Sequence, residues 1–231
     1  MWVELFLCLL LAHLVADFAL QTPKICAHKK ENKWRSCYQY YHAAVVFALS
    51  WLMAFESGFW WGALVIGFTH LVIDLWKSYH ADNVKWFVVD QLLHIAILSG
   101  IAVLWCEHQE WNIPFGLTTK HIALAVAAII CWKPANIFIK LMLKHYSVNV
   151  PEAKPDSGFN AGALIGDIER WLILAFVILQ RYEAIGLLIA AKSIIRFGEK
   201  DTAKTEYVLA GTLMSIFIAV MAGLMVMLMR C

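Results

Sequence analysis

Charge is scarce in this chain. Asp, Glu, Lys and Arg make up 16% of its residues while hydrophobic ones make up 61%, and the mean hydropathy is +0.66. That balance excludes an ordinary soluble domain of 231 residues and points to a bilayer. The net charge of +2 is too small to mark a nucleic-acid binder, so no nucleic-acid partner is expected. Cysteine spacing is equally unhelpful to a thiolate metal site. Cys8, Cys26, Cys37, Cys106, Cys131 and Cys231 form no CxxC pair, and reduced, structural thiols are expected. The first apolar run lacks a basic n-region and a small-residue cleavage site. It also carries His13 and Asp17, so a retained span is expected there and not a signal peptide.

What the chain does have is long apolar runs. A backbone crossing lipid must satisfy its own hydrogen bonds, so runs of about 20 apolar residues predict helices. They fall at roughly 2–20, 39–55, 59–78, 85–105, 119–143, 161–180, 183–198 and 206–229. The expected fold is therefore an all-α integral membrane protein with about eight transmembrane helices. The fifth run contains Lys133 and Pro134, so it either kinks there or stops and continues as an interfacial amphipathic segment. Thirteen of the 19 Lys and Arg fall in the connections after spans one, three, five and seven, which predicts both termini outside and the basic loops in the cytoplasm. The basic stretch from Lys24 to Arg35 reads as an anchor at anionic head groups, and the eleven Trp as interfacial belts. Three segments are expected: 1–110 with an internal repeat, 111–160 with the fifth helix and an amphipathic connection, and 161–231 with a charged network.

Ligand-type side chains interrupt the apolar runs at a regular spacing. LAHLVADFALQ holds His13 and Asp17 four apart on one helical face, and THLVIDLWK repeats the pattern with His70 and Asp74. VVDQLLHIA carries the reversed pair Asp90 and His94, and YYHAAV adds His42. In the expected topology all seven lie near the cytoplasmic surface, with the histidines in a deeper layer than the aspartates. HLVAD and HLVID are each followed by a span with an early His, which predicts a parallel two-helix duplication within the first four spans. The copy is imperfect, because Tyr38 stands where the second unit has Asp90.

Imidazole and carboxylate together suit a divalent metal: zinc foremost, with iron or manganese also compatible, as one ion or two. The expected ligands are His13, Asp17, His42, His70, Asp74, Asp90 and His94. With an open coordination position, an Asp among Asp17, Asp74 and Asp90 would serve as base toward water. The competing account is structural, in which His–Asp hydrogen bonds hold helices together without an ion. Gln21 and Gln91 flank the motifs and are candidates for substrate contact or for interhelical amides. The last third has a second polar set. Asp167, Glu169 and Arg170 share one span, Lys192 and Arg196 another, and Glu206, Thr212 and Ser215 a third. Either these pair as ions, or Arg170, Lys192 and Arg196 hold an anionic head group. The spacing of Gly162, Gly166, Gly211 and Ser215 fits close helix packing.

AHLVADFALQT, THLVIDLWKS, VVDQLLHIAI, GALIGDIER, AIGLLIAAKSIIRFGE and EYVLAGTLMS together resemble a bacterial family of small polytopic membrane proteins known as a domain of unknown function. That resemblance spans nearly the whole chain and implies a protein of the bacterial inner membrane. The HxxxD repetition is more distantly similar to membrane-bound metal-dependent hydrolases. The plan of His and Asp on several helices is similar to the alkaline ceramidase superfamily, although the HxxxH pair of that superfamily is absent and its amidase activity is not carried over. The expected function is an intramembrane metal-dependent hydrolase acting at the cytoplasmic leaflet on a lipid-like or anionic substrate. Membrane lipid is its expected partner, and homo-oligomers are left open. The alternatives are a metal-ion or proton transporter, for which spans one to four offer few polar residues toward the outer face, and a non-catalytic sensor subunit.

Overall fold

An apolar segment becomes a stable helix where something satisfies the free N–H groups of its first turn. Thr22 does this for α2 (Pro23–Asn32), its hydroxyl accepting from Ile25 N at 3.4 Å, with Pro23 at the position where a missing N–H costs nothing. Asn83 does it for α5 (Val84–His108), accepting from Trp86 N at 3.0 Å. The computed structural model describes residues 2–114, 116–146, 161–195 and 202–229, and every regular element among them is helical. The others are α1 (Trp2–Leu14), α3 (Cys37–Met53), α4 (Trp60–Ser78), α6 (Thr119–Ile130), α7 (Lys133–His145), α8 (Ala161–Ile178), α9 (Tyr182–Ile195) and α10 (Thr202–Leu228).

Among the described residues, four helical stretches are long and apolar enough to cross a membrane: Trp2–Leu20, Ser57–Ser78, Val84–His108 and Thr205–Leu228. A fifth is met by α6 and α7 together, bent by 41°. Helices also occupy the other stretches expected as spans. Of these, α3 has 17 residues, α9 has 14, and α8 carries Asp167, Glu169 and Arg170.

The chain forms two compact units, Met1–Val126 and Ala127–Arg230. In the first, α1 packs on α3 and α5, and α4 packs on the same two, making a ring of four helices. Leu5, Leu9, Val46, Ala63, Ile66, Leu98 and Ala102 fill it, whereas Leu64, Phe68, Val72 and Leu92 stand exposed. Beside this apolar filling several polar side chains are buried while large apolar ones stand outside, an arrangement lipid favours.

Two glycines show how tightly the ring is drawn. A Cβ on Gly67 would lie 2.9 Å from Phe47 Cβ and 3.2 Å from the Ala43 carbonyl, whereas one on Gly100 would meet nothing within 4 Å. Gly67→Ala must push α3 from α4, and is expected to cost about 1–3 kcal/mol in thermal unfolding. Gly100→Ala is expected to be neutral or to stabilise by about 0.5–1 kcal/mol through helix propensity.

In the second unit α8 packs on α10 and α7, and α9 packs on α8. A Cβ on Gly223 would come within 2.6 Å of Val177, so the close approach of α8 and α10 falls there, while one on Gly211 would make only ordinary contact with Leu143. Pro134 has no N–H and ends α6. The carbonyls freed by that break are taken up by α8: Arg170 Nε donates to Cys131 O at 2.6 Å and Trp171 Nε1 to Ala128 O at 3.0 Å.

Candidate metal centre

Four helices and one irregular turn bring the ligand-type residues of the first unit together. His13 comes from α1, which continues as a π-helix over Val15–Leu20 that carries Asp17. Such wide turns are rare and recur at functional sites. His42 comes from α3, His70 and Asp74 from α4, and Asp90 and His94 from α5. His13, His42, His70, Asp74, Asp90 and His94 are buried, and the Asp17 side chain is 9% exposed.

The separations are those of groups facing a common centre. His42 Nε2 lies 2.9 Å from His70 Nε2 and 3.1 Å from Asp17 Oδ1, and His70 Nε2 lies 3.4 Å from the same Asp17 oxygen. His94 Nε2 is 3.5 Å from Asp90 Oδ1 and 3.9 Å from Asp74 Oδ1. Three overlapping sets result: Asp17–His42–His70, His13–His70–His94 and Asp74–Asp90–His94, with the ligand atoms of each within 4.8 Å of one another. Ligands held about 2.1 Å from one ion stand about 3–4.2 Å apart, which most of these separations match.

Hydrogen bonding alone does not account for the arrangement. An imidazole nitrogen offers one proton or one lone pair. Yet His42 Nε2 has Gln21 Nε2 at 2.6 Å, His70 Nε2 at 2.9 Å and Asp17 Oδ1 at 3.1 Å. Meanwhile Asp90 Oδ1 and His94 Nε2 are buried 3.5 Å apart and make no other hydrogen bond. A cation shared among these atoms would satisfy both the crowded His42 nitrogen and the Asp90–His94 pair.

Two pairs of histidine rings lie at nearly equal distances. The His42 and His70 ring centroids are 4.9 Å apart, and those of His94 and His13 are 4.8 Å apart. Gln91 Oε1 lies 3.4 Å from His13 Nε2, and Gln91 Nε2 donates to Asp90 at 3.0 Å. Both flanking glutamines therefore touch the cluster.

Two lysines at the centre were not among the expected site residues. Lys77 pairs with Asp90, and Lys29 with Asp74. Lys77 was discoverable, because it sits three residues after Asp74 on the same helical face. Lys29 was not, because the stretch expected as a head-group anchor folds as α2 and turns this side chain inward to 7% exposure. Lys30 pairs with Asp82 and Lys33 lies over the Tyr79 ring, so α2 is tied down along its length. Three carboxylates face two ammonium groups, leaving one negative charge for an added cation if the imidazoles are neutral.

The second polar set lies in the other unit. Arg170 is 1% exposed, and besides Cys131 O it donates to Ser215 Oγ at 3.0 Å, Asn136 Oδ1 at 2.7 Å and Asp167 Oδ1 at 2.6 Å. Lys192 pairs with Glu169. Both cations have protein partners, as the ion-pair account expects, and Arg196 lies outside the described residues.

Among the described residues, the chain has apolar helices long enough to cross a membrane and, in its first unit, buried His/Asp clusters that could hold a metal ion. The chain belongs to the family described as "Protein of unknown function (DUF3307)", whose family model matches residues 5–120 and so contains all seven ligand-type residues. No curated protein and no solved structure matches the chain.

Proposed function

We propose that this protein is an intramembrane metal-dependent hydrolase of the bacterial inner membrane, working at the cytoplasmic leaflet on a lipid-like or anionic substrate. In this reading all eight apolar stretches cross the bilayer and both termini face outside. The observation that carries it is the meeting of four imidazoles and three carboxylates from separate helices, with more polar neighbours on His42 Nε2 than hydrogen bonds can use.

Zinc fits the mixed nitrogen and oxygen donors best, with iron or manganese compatible, as one ion or two. Its ligands would be drawn from His13, His42, His70, His94, Asp17, Asp74 and Asp90. A bound divalent ion supplies Lewis-acid polarisation and makes water a nucleophile near neutral pH. The chain's own residues do the rest. Lys29 and Lys77 orient Asp74 and Asp90, Gln91 sets the His13 ring, and whichever carboxylate is not a ligand accepts the proton of the attacking water.

Transport is less well supported. It requires a polar route from the cluster to the opposite end of the ring, but Leu5, Leu9, Val46, Ala63 and Leu98 fill that region. Purified protein is expected to carry zinc, iron or manganese at about one or two ions per chain by elemental analysis. Folded protein free of metal would end this reading.

A further inference from the structure

The two halves of the repeat differ in one way that bears on substrate. Aligning YQYYH with DQLLH sets Tyr38 against Asp90, Gln39 against Gln91 and His42 against His94. In the second half Asp90 is 0% exposed, closes the Asp74–Asp90–His94 set and receives Lys77. In the first half Tyr38 stands at that position, is 40% exposed and sets its ring edge-to-face with His28. The Asp17–His42–His70 set thus has one carboxylate fewer. Beside His42 the structure opens a cleft of about 160 Å3 lined by Leu20, Ile25, Tyr38, Tyr41 and Val45, with Gln21 and His42 as its polar residues.

Two further features mark this half. The π-helical turn that carries Asp17 ends at Leu20 on the cleft wall. Gln39, one turn before His42 on α3, is 2% exposed, and neither its amide nitrogen nor its amide oxygen has a hydrogen-bond partner. Gln91, its repeat mate, uses both. Leaving such an atom unpaired costs about 1–3 kcal/mol, so the two halves differ at this position as well.

We propose that the first-half set Asp17–His42–His70 is the substrate-facing one, and that the cleft beside it receives the chain of a membrane lipid entering sideways, with the lipid's polar linkage at His42 and Gln21. This deepens the hydrolase reading and rests on it. The occupant follows from the walls. Apolar and aromatic side chains lead inward from Leu20 and Tyr41, which are 53% and 69% exposed, to two polar groups at the centre. That gradient fits an amphiphile and no wholly polar solute. The space compares with engineered apolar cavities of about 150 Å3 that hold a benzene-sized molecule, enough for a short stretch of acyl chain next to its ester.

The test uses the full chain in vesicles of phosphatidylethanolamine and phosphatidylglycerol containing a phosphatidylglycerol with a diazirine beside its ester. After illumination, adducts are expected to concentrate on the segments around Leu20–Ile25 and Tyr38–Val45, above those at exposed Phe68 and Phe217. Val45→Trp and Ile25→Trp, which fill the cleft from α3 and from α2, are each expected to cut cleft adducts about tenfold while Phe68 and Phe217 label as before. Should one variant fail to fold, the other decides. Uniform labelling that a folded variant does not lower overturns the lipid site. Metal content is read on the same preparations. Cleft labelling in metal-free protein overturns the hydrolase reading and keeps the lipid site, and metal without cleft labelling overturns the lipid site alone.

Discussion

Purified His70→Ala protein is expected to retain metal only at background level, with affinity lowered about 100-fold or more. His70 belongs to two of the three ligand sets, lying 3.4 Å from Asp17 and stacked on His94 at a centroid distance of 4.2 Å. Removing it opens both sets at once, and even residues that only orient ligands are worth about 10–100-fold in metal affinity. A second readout separates this from structural glue. In the parent protein, metal at about 100 times its dissociation constant should stabilise the fold by about 2.7 kcal/mol, and in His70→Ala that increment should vanish. Metal-free His70→Ala should unfold close to metal-free parent, because Asp74 still has Lys29. If metal never shifts the parent's unfolding and His70→Ala collapses by itself, these histidines serve only to bind helices together.

The largest stability effect is expected in the other unit, at Arg170. Its guanidinium reaches Cys131 O, Ser215, Asn136 and Asp167 at 2.6–3.0 Å while 1% exposed. Arg170→Met leaves the carbonyl released by the α6–α7 break and the Asp167 carboxylate without their donor. Breaking one side of a buried pair costs about 3–5 kcal/mol, to be read as a lower thermal midpoint in detergent. Arg170→Lys should recover only part of this, since an ammonium keeps the charge but lacks the planar fork that reaches several acceptors at once. Metal content should be unchanged in both variants. Loss of metal in a folded Arg170→Met protein would show that the two polar sets act on one another.

A great deal of this was legible in the residues. Apolar runs located the helices because a chain in lipid has no other way to close its hydrogen bonds. HxxxD spacing announced the site because residues four apart share a helical face, and a buried polar pair is too costly to be accidental. The sequence also set Tyr38 opposite Asp90 when the HLVAD and HLVID segments are aligned. Gln39 was missed although the same alignment contains it, because it was not a ligand-type residue. In the second unit the charges could be named but not paired. Asp167 went to Arg170 on its own helix and Glu169 to Lys192, a choice set by side-chain reach and helix rotation.

Composition and spacing by themselves determined that the protein is helical, that it is apolar enough for a membrane, and that seven ligand-type side chains sit on four apolar stretches at matching positions. Both signals are periodic and local, so one dimension suffices to read them. Only the tertiary structure decided that α2 folds inward so that Lys29 meets Asp74, that a π-helical turn carries Asp17 into the cluster, and that a cleft opens beside His42. Each of these depends on distant segments packing against one another. A lysine in a basic stretch has the same identity whether it meets lipid or a buried carboxylate, and only the packing of α2 against α4 separates the two.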